Sequence, residues 1–492
     1  MLGEMRRPKA KETVIDIICI AIYIICISLS KYRISSIVSI AVFTFYCMHI
    51  MEDKGYFYIK YLYIVFVTFA AIVSCAIIEF GSLYLKELRV SAHYYGSLPL
   101  FVLSYHILFR TLISFEKVNR AKIRLAKFKI VERKETRIIK YISIFTLLIV
   151  LACFVKVLPH PAFLNSLERA DYARMYGVTG ILGQLAANIP RLIIFPYILF
   201  LSKNKRNKTL AASCIFFAVL YYFWTGNKFG VFFQLLYIFL MVFSEYIAAR
   251  IGKQKLKKIV VKIGIAFAGL IVITLVIQSF TYKGRIWVYF QQRIASQGQL
   301  WWRIFGLYNG TPHVSEFWNE IVAAFTAKSD VIDNIGANYG IYKMMYLCLP
   351  SSVVDAYLKA GYRYTEAGFA SMLYYFGFVG PIIYALLMGG TFGLFINKLC
   401  KAINNHDFIR IYIYVRFILL ATTSFSMFIF KPFFTIAQLV LYLYLIFTHN
   451  KKVRIGSITI GDKTWISGIH NYGIRYFRVS DVASNGVTSR SR

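Results

Sequence analysis

The chain has 492 residues, of which 58% are hydrophobic, and a mean hydropathy of +0.59. Soluble domains are about 45–50% apolar, so the composition indicates an integral membrane protein and excludes an ordinary soluble enzyme. The net charge of +35 would suit a nucleic-acid partner. However, the Lys and Arg residues stand in short clusters between apolar segments, which is the pattern of cytoplasmic membrane loops. We therefore expect no nucleic-acid partner.

A helix that crosses a bilayer needs about 20 apolar residues. By this measure the chain has about twelve membrane spans, which predicts an all-α polytopic membrane protein with one large loop. The first nine segments form an N-terminal transmembrane bundle (1–280), and three more follow the large loop (281–367) within residues 368–450. The predicted spans are 13–30, 34–51, 61–80, 97–115, 141–158, 182–202, 209–226, 230–248, 259–280, 374–397, 410–430 and 433–448.

The charges of the connecting segments predict the orientation. Residues 116–140 hold ten Lys or Arg against three Glu, and the segments 203–208 and 250–262 are also strongly basic. The large loop is nearly balanced, with eight basic and six acidic residues. The positive-inside rule then places both termini in the cytoplasm and residues 281–367 on the extracytoplasmic side.

The two ends of the chain and its cysteines bear on topology and on metal binding. The first apolar segment has no small-residue cleavage site and is interpreted as an uncleaved span. The tail (451–492) is interpreted as a basic cytoplasmic tail; the alternative is a fragment of a hexapeptide β-helix, because KKVRIGSITIGDKTWISGIHNYG resembles one coil of that fold. The eight cysteines show no metal-ligand spacing, so no metal and no cofactor is expected.

Arg191 is the most informative charged residue inside a predicted span. It lies between Pro190 and Pro196, and both prolines free backbone groups, which suggests a broken helix that lines a cavity. Arg191 is therefore either a ligand-binding group or an interhelical hydrogen-bond partner. Arg110, Lys156 and Arg416 are closer to span ends and are expected to snorkel.

Two loop regions offer further cations. Lys228 lies in the turn Thr225–Gly230 between two glycines, where an ammonium group can either approach an anion or serve the turn alone. Residues 284–305 are predicted to form one amphipathic helix with an aromatic stripe. In that helix Arg285, Arg293 and Arg303 either bind lipid phosphates at the membrane surface or hold the pyrophosphate of a lipid-linked substrate. Arg363 is assigned to the same pyrophosphate and glycan site.

Glu366 is the acidic candidate for catalysis. It directly precedes the apolar segment AGFASMLYYFGFVG, which would fix its carboxylate at the membrane rim. Partial burial there would raise its pKa and suit it as a general base. The alternative is a helix-capping role.

These features together resemble the O-antigen (Wzy-type) polysaccharide polymerases of bacterial inner membranes. The similarity covers the architecture up to about residue 450, the basic turn WTGNKFG, the large loop and the re-entry FGFVGP. That family often has Gly-Ser-Arg where this chain has Gly226-Asn227-Lys228. The related O-antigen ligases have a catalytic His near Thr365-Glu366, where this chain has none.

The resemblance implies a GT-C-like polymerase architecture and a metal-independent glycosyltransferase. Such an enzyme joins undecaprenyl-pyrophosphate-linked oligosaccharide repeat units on the periplasmic face, for lipopolysaccharide O-antigen or capsule. Its expected partners are that lipid-linked oligosaccharide, membrane lipids and a chain-length regulator. The alternative is a lipid-linked oligosaccharide flippase or another polytopic transporter.

Overall fold

A computed structural model describes most of the chain between residues 10 and 460. The described residues are 10–115, 135–162, 172, 175–200, 204–226, 229–250, 258–262, 264–265, 286–328, 330–405, 407–448, 453–455 and 458–460. The fold is overwhelmingly helical, and the two short strand pairs within the described residues lie outside the helical bundle. Most of the predicted span 259–280 lies outside these ranges, and of the hexapeptide-like stretch 451–473 only residues 453–455 and 458–460 are described.

The N-terminal half of the chain is a bundle of helices connected by short segments. The elements are α1 (Ala10–Ser28), α2 (Arg33–Lys54), α3 (Tyr56–Lys60), α4 (Leu62–Phe80), the antiparallel pair β1 (Tyr84–Leu85) and β2 (Val90–Ser91), α5 (Leu98–Ser114), α6 (Glu135–Val157), α7 (Gly180–Ala186), α8 (Ile189–Leu192), α9 (Ile194–Phe200), α10 (Lys205–Trp224) and α11 (Phe229–Arg250).

The C-terminal half begins with the short helices of the large loop and returns to long helices. The elements are α12 (Ile286–Ala295), α13 (Gln299–Leu307), α14 (Trp318–Thr326), α15 (Gly340–Cys348), α16 (Ser351–Lys359), α17 (Gly368–Phe376), α18 (Gly380–Asn405), α19 (Phe408–Met427), α20 (Ile436–Phe447), and the antiparallel strands β3 (Val453–Ile455) and β4 (Ile458–Ile460).

The apolar helices identify a multi-pass membrane protein. Five helical segments of the described chain are long and apolar enough to cross a membrane, or six if one bent pair counts as a single span. All the predicted spans except 259–280 fall on described helices, although α5 and α20 are shorter than a full span. Twelve crossings and the sidedness of the loop remain predictions.

Ion pairs join the first helices at the end of the bundle that lies away from the large loop. Lys54 Nζ lies 3.0 Å from Glu12 Oε2, and Arg110 Nε lies 2.7 Å from Asp16 Oδ2. Beside them, His106 is fully buried, and its ring packs at a tilt of 35° against the Tyr46 ring, with centroids 3.9 Å apart. Arg110, expected to snorkel toward the membrane surface, lies at this end of the bundle with a partly exposed side chain that pairs with Asp16.

The predicted break around Arg191 is present. Residues Gly180–Leu192 and Ile194–Phe200 form two helical segments bent by 42°. Pro190 is in the first turn of α8, where a missing N–H costs no helical hydrogen bond. The bend leaves Asn188 and Arg191 at the middle of the span rather than at its ends.

Residues 284–305 do not form the single interfacial helix that the sequence suggests. Two helices, α12 and α13, meet at the turn formed by residues 296–298. Trp301 is 1% exposed and stacks on Phe101 of α5, with ring centroids 4.6 Å apart. Trp302 is fully buried and donates from its indole N–H to the His93 carbonyl at 2.9 Å. These tryptophans anchor the loop to the bundle because each buries a large apolar area, and Trp302 adds a hydrogen bond from its indole N–H.

The chain re-enters the bundle after the loop as a helical hairpin. Helix α17 packs antiparallel to the first turns of α18, and the reversal occurs at Gly377, whose φ is 63°. A Cβ on Gly368 would lie 2.0 Å from the Tyr384 hydroxyl, and one on Gly380 would lie 1.9 Å from the Met372 carbonyl oxygen. Glycine at both positions permits this close contact, and the apolar stretch Gly368–Ile403 is therefore a hairpin followed by one span.

Gly380→Ala is expected to destabilise the protein, because the added methyl group would collide with the backbone of α17. Overpacking of this kind costs roughly 1–3 kcal/mol. Gly390→Ala in the same helix is the control, since no atom lies within 4 Å of the added Cβ and alanine favours helix over glycine by roughly 0.5–1 kcal/mol. Thermal unfolding of the two purified variants in detergent checks the contrast, and equal transition temperatures would contradict the hairpin packing.

Candidate functional site

Glu366 lies at the innermost point of the re-entrant hairpin. Tyr105 and Met388 line the same pocket as Glu366, and each lies seven or eight residues from the start of its helix on the side of the large loop. At 1.5 Å per residue, this places the pocket roughly 10 Å below the helix ends. The carboxylate is thus set within the helical bundle, below the loop-side ends of these helices.

Ser426, near the end of α19, forms hydrogen bonds with both the Glu366 side chain and the backbone of Ala367. Its hydroxyl donates to Glu366 Oε1 at 3.0 Å, and its carbonyl accepts from the Ala367 N–H at 2.8 Å. Glu366 has a φ of 59°, a left-handed conformation that is unfavourable for a residue with a Cβ. Strain of this kind costs on the order of 1–3 kcal/mol and persists only where the surroundings impose it.

The pocket around Glu366 is apolar and rimmed by phenol groups. It is narrow, with a cavity volume of about 10 Å³, which leaves room for roughly one water molecule. Of its described lining residues, Glu366 alone carries a carboxylate; the others are Tyr63, Val67, Tyr105, Gly368, Phe369, Tyr384, Met388, Thr422, Phe425 and Ser426. Within the described chain Glu366 forms no ion pair. A carboxylate in such surroundings is poorly solvated, so its neutral form is favoured.

Burial raises the pKa of Glu366 to about 7, and the hydrogen bond from Ser426 opposes the rise. The residue lies just before the apolar stretch Gly368–Ile403, outside the membrane-spanning helix itself. A carboxyl group with this pKa can accept a proton from a substrate hydroxyl near neutral pH and release it again. The capping alternative is not seen, because α17 has no side-chain cap bond.

The segment before Glu366 is fixed by the small loop that joins α4 and α5. The Glu87 carbonyl accepts from the Tyr364 hydroxyl at 2.5 Å, and the Glu87 carboxylate accepts from the Tyr362 hydroxyl and from the Gln299 amide. These bonds hold residues 362–366 on the bundle from the loop side. The approach to Glu366 is therefore built from two loops that are distant in sequence.

The predicted loop arginines lie around this approach but do not converge on one described pocket. Arg363 Nη1 donates to the Tyr342 hydroxyl at 3.5 Å. Arg293 is exposed on α12 and lies near Tyr362. Arg303 is near Cys348, and its Nε is buried without a hydrogen-bond partner in the described structure. Lys228 and Arg285 lie outside the described residues.

Arg191 belongs to a second, separate site in the middle of the bundle. Its Nη1 donates to Asn188 Oδ1 at 2.6 Å, and the Tyr412 hydroxyl bonds the same oxygen at 3.2 Å. Arg416 of α19 lies close enough for the two positive charges to repel, and its Nε donates to Gln438 Oε1 at 3.1 Å. Arg416 is therefore not the snorkelling residue expected from the sequence.

The two sites are too far apart to act on one phosphate group. Arg416 and Ser426 are ten residues apart on α19, which separates them by roughly 15 Å along the helix axis. Long side chains on a helix also point toward its N-terminus, so the Arg416 guanidinium points away from Glu366. Of the predicted cationic residues, Arg363 is the nearest to Glu366 in sequence.

Sequence reasoning missed the partners of both charged groups. Ser426, Tyr63, Tyr105 and Tyr384 are unremarkable residues inside apolar segments, and no spacing signal links them to Glu366. Arg416 could have been found, because it lies near the middle of the predicted span 410–430 rather than at its end. Asn188 could also have been found, since it stands one turn before Arg191. The described residues contain no group of three or more His, Cys, Asp or Glu placed to hold a metal ion.

Comparison with known proteins gives one match of limited extent. The model of a family of unknown function (DUF6418) matches residues 334–442, less than a quarter of the chain. This region contains Arg363, Glu366, Arg416 and Ser426, together with the whole re-entrant hairpin. No curated protein and no solved structure matches the chain significantly.

Glu320 in the large loop is a second buried carboxylate, and its role is structural. Its Oε1 accepts from the Gly340 N–H and from the Tyr375 hydroxyl, both at 2.6 Å. It thereby joins α14, α15 and the re-entrant α17. Burial raises the pKa of Glu320 to about 7, against smaller opposing effects of these bonds and of Lys343. The folded loop therefore favours the protonated carboxyl.

Stability should fall as pH rises from about 5 to 8, and Glu320 should account for part of this fall. The folded protein binds the Glu320 proton more tightly than the unfolded chain, whose glutamates titrate near 4.3. The stabilisation is thus complete at low pH and is lost as pH passes the folded pKa. Thermal unfolding of wild type and Glu320→Gln between pH 5 and 8 measures it. If both proteins show the same pH dependence, Glu320 is not the group responsible.

Proposed function

We propose that the protein is a polysaccharide polymerase that joins lipid-linked oligosaccharide repeat units, with Glu366 as the general base. The observation that carries the proposal is the Glu366 pocket: a carboxylate with a pKa near 7, beneath a loop that packs on the bundle. The overall resemblance to O-antigen polymerases supports the substrate class, an undecaprenyl-pyrophosphate-linked oligosaccharide. The proposal includes about twelve spans, an inner-membrane location, cytoplasmic termini and a periplasmic loop.

The reaction would proceed by a single displacement. The hydroxyl oxygen of the acceptor repeat unit attacks the anomeric carbon of the growing chain and gives its proton to the Glu366 carboxylate. The bond between that carbon and the pyrophosphate oxygen breaks, and lipid pyrophosphate leaves with the electron pair. Arg363, with Arg293 and Arg303 nearby in the loop, would stabilise the negative charge that develops on the leaving group. Lys228 and Arg285 remain candidates for the same role.

Ser426 would position the base. Its hydroxyl occupies one carboxylate oxygen, Oε1, and leaves Oε2 for the substrate proton. Because this hydrogen bond also lowers the pKa of Glu366, its loss should shift the pH profile of the reaction upward. The phenol groups of Tyr63, Tyr105 and Tyr384 could contact the sugar ring at the pocket, since tyrosine offers an apolar face and a polar tip.

A second function, a lipid-linked oligosaccharide flippase, is favoured by a different observation. The broken helix around Asn188 and the facing Arg191 and Arg416 lie at mid-membrane depth, where transporters bind their substrates. Two guanidinium groups with no carboxylate partner in the described structure would suit an anion. A flippase needs no general base, however, and the Glu366 pocket would then have no role.

Deletion of the gene and gel analysis of the surface polysaccharide separates the two functions. Loss of a polymerase leaves one repeat unit on the acceptor, so the ladder collapses to a single band. Loss of a flippase removes all repeats, because no unit reaches the outer face. A normal ladder would exclude both.

Glu366→Gln should reduce polymer formation by about two to four orders of magnitude, the usual contribution of a general base. The amide keeps the size of the side chain and cannot accept the proton. Glu320→Gln is the matched control, since it neutralises another buried loop carboxylate that does not line the pocket. Both variants must be present in the membrane at wild-type levels. A full ladder from Glu366→Gln would remove this residue from the mechanism.

Arg416→Gln and Arg191→Gln should reduce function about ten- to hundredfold if the pair binds an anionic substrate, because each loses a charge-assisted bond of roughly 1.5–3 kcal/mol. The pattern of the polysaccharide ladder shows whether the arginine pair serves polymerisation or transport. A ladder that shortens to one repeat assigns the pair to polymerisation, and disappearance of all repeats assigns it to transport. Normal ladders from both variants, at normal protein levels, would make the pair a structural contact.

A further inference from the structure

The large loop carries an amphipathic helix whose apolar face is largely exposed in the described structure. On α14, four large side chains are exposed by 40–64%: Trp318, Ile321, Val322 and Phe325. Their spacing of three, one and three residues places them on one face of the helix. The opposite face holds Glu320, Ala323 and Ala324, all buried. We propose that this face of α14 lies in the lipid leaflet on the loop side and attaches the loop to the bilayer.

The apolar face cannot turn inward, because the other face is tied to the protein. Glu320 accepts hydrogen bonds from the Gly340 N–H and the Tyr375 hydroxyl, and both donors belong to helices packed behind α14. Rotating α14 to bury Trp318 and Phe325 would break both bonds and leave Glu320 unpaired. The exposed face is therefore a fixed feature of the folded loop.

The same face continues into the surface that the membrane helices present to lipid. The Phe325 ring contacts the Phe434 ring with centroids 4.9 Å apart. Phe434 lies two residues before α20, whose outward side chains include Ile436, Leu439 and Val440, exposed by 82%, 46% and 58%. Exposed apolar side chains on a membrane helix face acyl chains, so α14 extends an established lipid-facing surface rather than beginning a new one.

The polar ends of α14 suit the headgroup region. Lys431, in the connection between α19 and α20, donates from Nζ to the Phe325 carbonyl, which places a positive charge at the C-terminal end of the helix dipole. Trp318 stands at the other end, and tryptophan favours the boundary between acyl chains and headgroups. A helix with these properties lies in the plane of the interface. This attachment would serve a polymerase and a flippase equally.

Site-directed spin labelling tests the proposal. Trp318→Cys and Val322→Cys are labelled in the full-length protein in nanodiscs of phosphatidylethanolamine and phosphatidylglycerol. All eight native cysteines are buried, which favours reaction at the introduced thiol. Ser351→Cys, exposed at the start of α16, is the matched water-facing control. For labels at 318 and 322, molecular oxygen, which is enriched in lipid, should increase the spin relaxation rate severalfold more than a water-soluble nickel chelate does. The control label should show the reverse order.

Two results would overturn the proposal. If nickel dominates at both test positions, α14 stands in water. In a singly labelled variant, the labels of two neighbouring copies can broaden each other's spectra. If such broadening is seen and disappears on dilution with unlabelled protein, a second copy of the chain covers the face instead. Because a cysteine at 318 could disturb folding, brominated lipid provides an independent measurement on the native side chain. Wild type should lose more tryptophan fluorescence than Trp318→Phe, and equal quenching would count against insertion.

Discussion

The contact between Ser426 and the Glu366–Ala367 backbone fixes the point at which the loop enters the bundle and turns back. One residue at the end of α19 supplies a hydroxyl to the carboxylate and a carbonyl to the backbone. Without these bonds the left-handed conformation of Glu366 would relax, and α17 could no longer meet α18 through Gly368 and Gly380. The position of the carboxylate thus depends on a helix sixty residues away in sequence.

The same arrangement means that Glu366 lowers the stability of the folded protein. It combines an unfavourable backbone conformation with a carboxyl group removed from water, and each of these destabilises the folded state. Glu320 is 6% exposed, has ordinary helical geometry and has two donors that explain its presence. Glu366 is only partly buried, has one donor and lines a narrow pocket. The contrast between two carboxylates of one loop is the physical reason to assign function to Glu366 and structure to Glu320.

Sequence patterns predicted the helices well because apolar length is a local property. The broken helix at Arg191 was also predictable, since Pro190 and Pro196 act on their own backbone. Trp301 was misjudged because an aromatic stripe is compatible with a lipid surface or a protein core, and only the position of Phe101 decides between them. The interfacial helix was accordingly expected at 284–305, whereas the exposed stripe lies on α14. Ser426 was beyond prediction, because its partner is brought to it by tertiary packing alone.

The two charged sites lie at different depths, and the depth limits what each can do. A reacting hydroxyl and a leaving pyrophosphate oxygen must both lie within about 3.5 Å of the anomeric carbon, so a chemical site must gather base and cations within a few ångströms. The separation of roughly 15 Å along α19 therefore prevents Arg191 and Arg416 from serving the leaving group at Glu366.

If the chain is a polymerase, that role belongs to loop cations such as Arg363, and the mid-membrane arginines hold a different anion. If it is a flippase, the arginines are central and the strain at Glu366 has no explanation. A purely structural role explains the strained Glu366 carboxylate less well than it explains the Arg191–Arg416 pair, and this favours the polymerase.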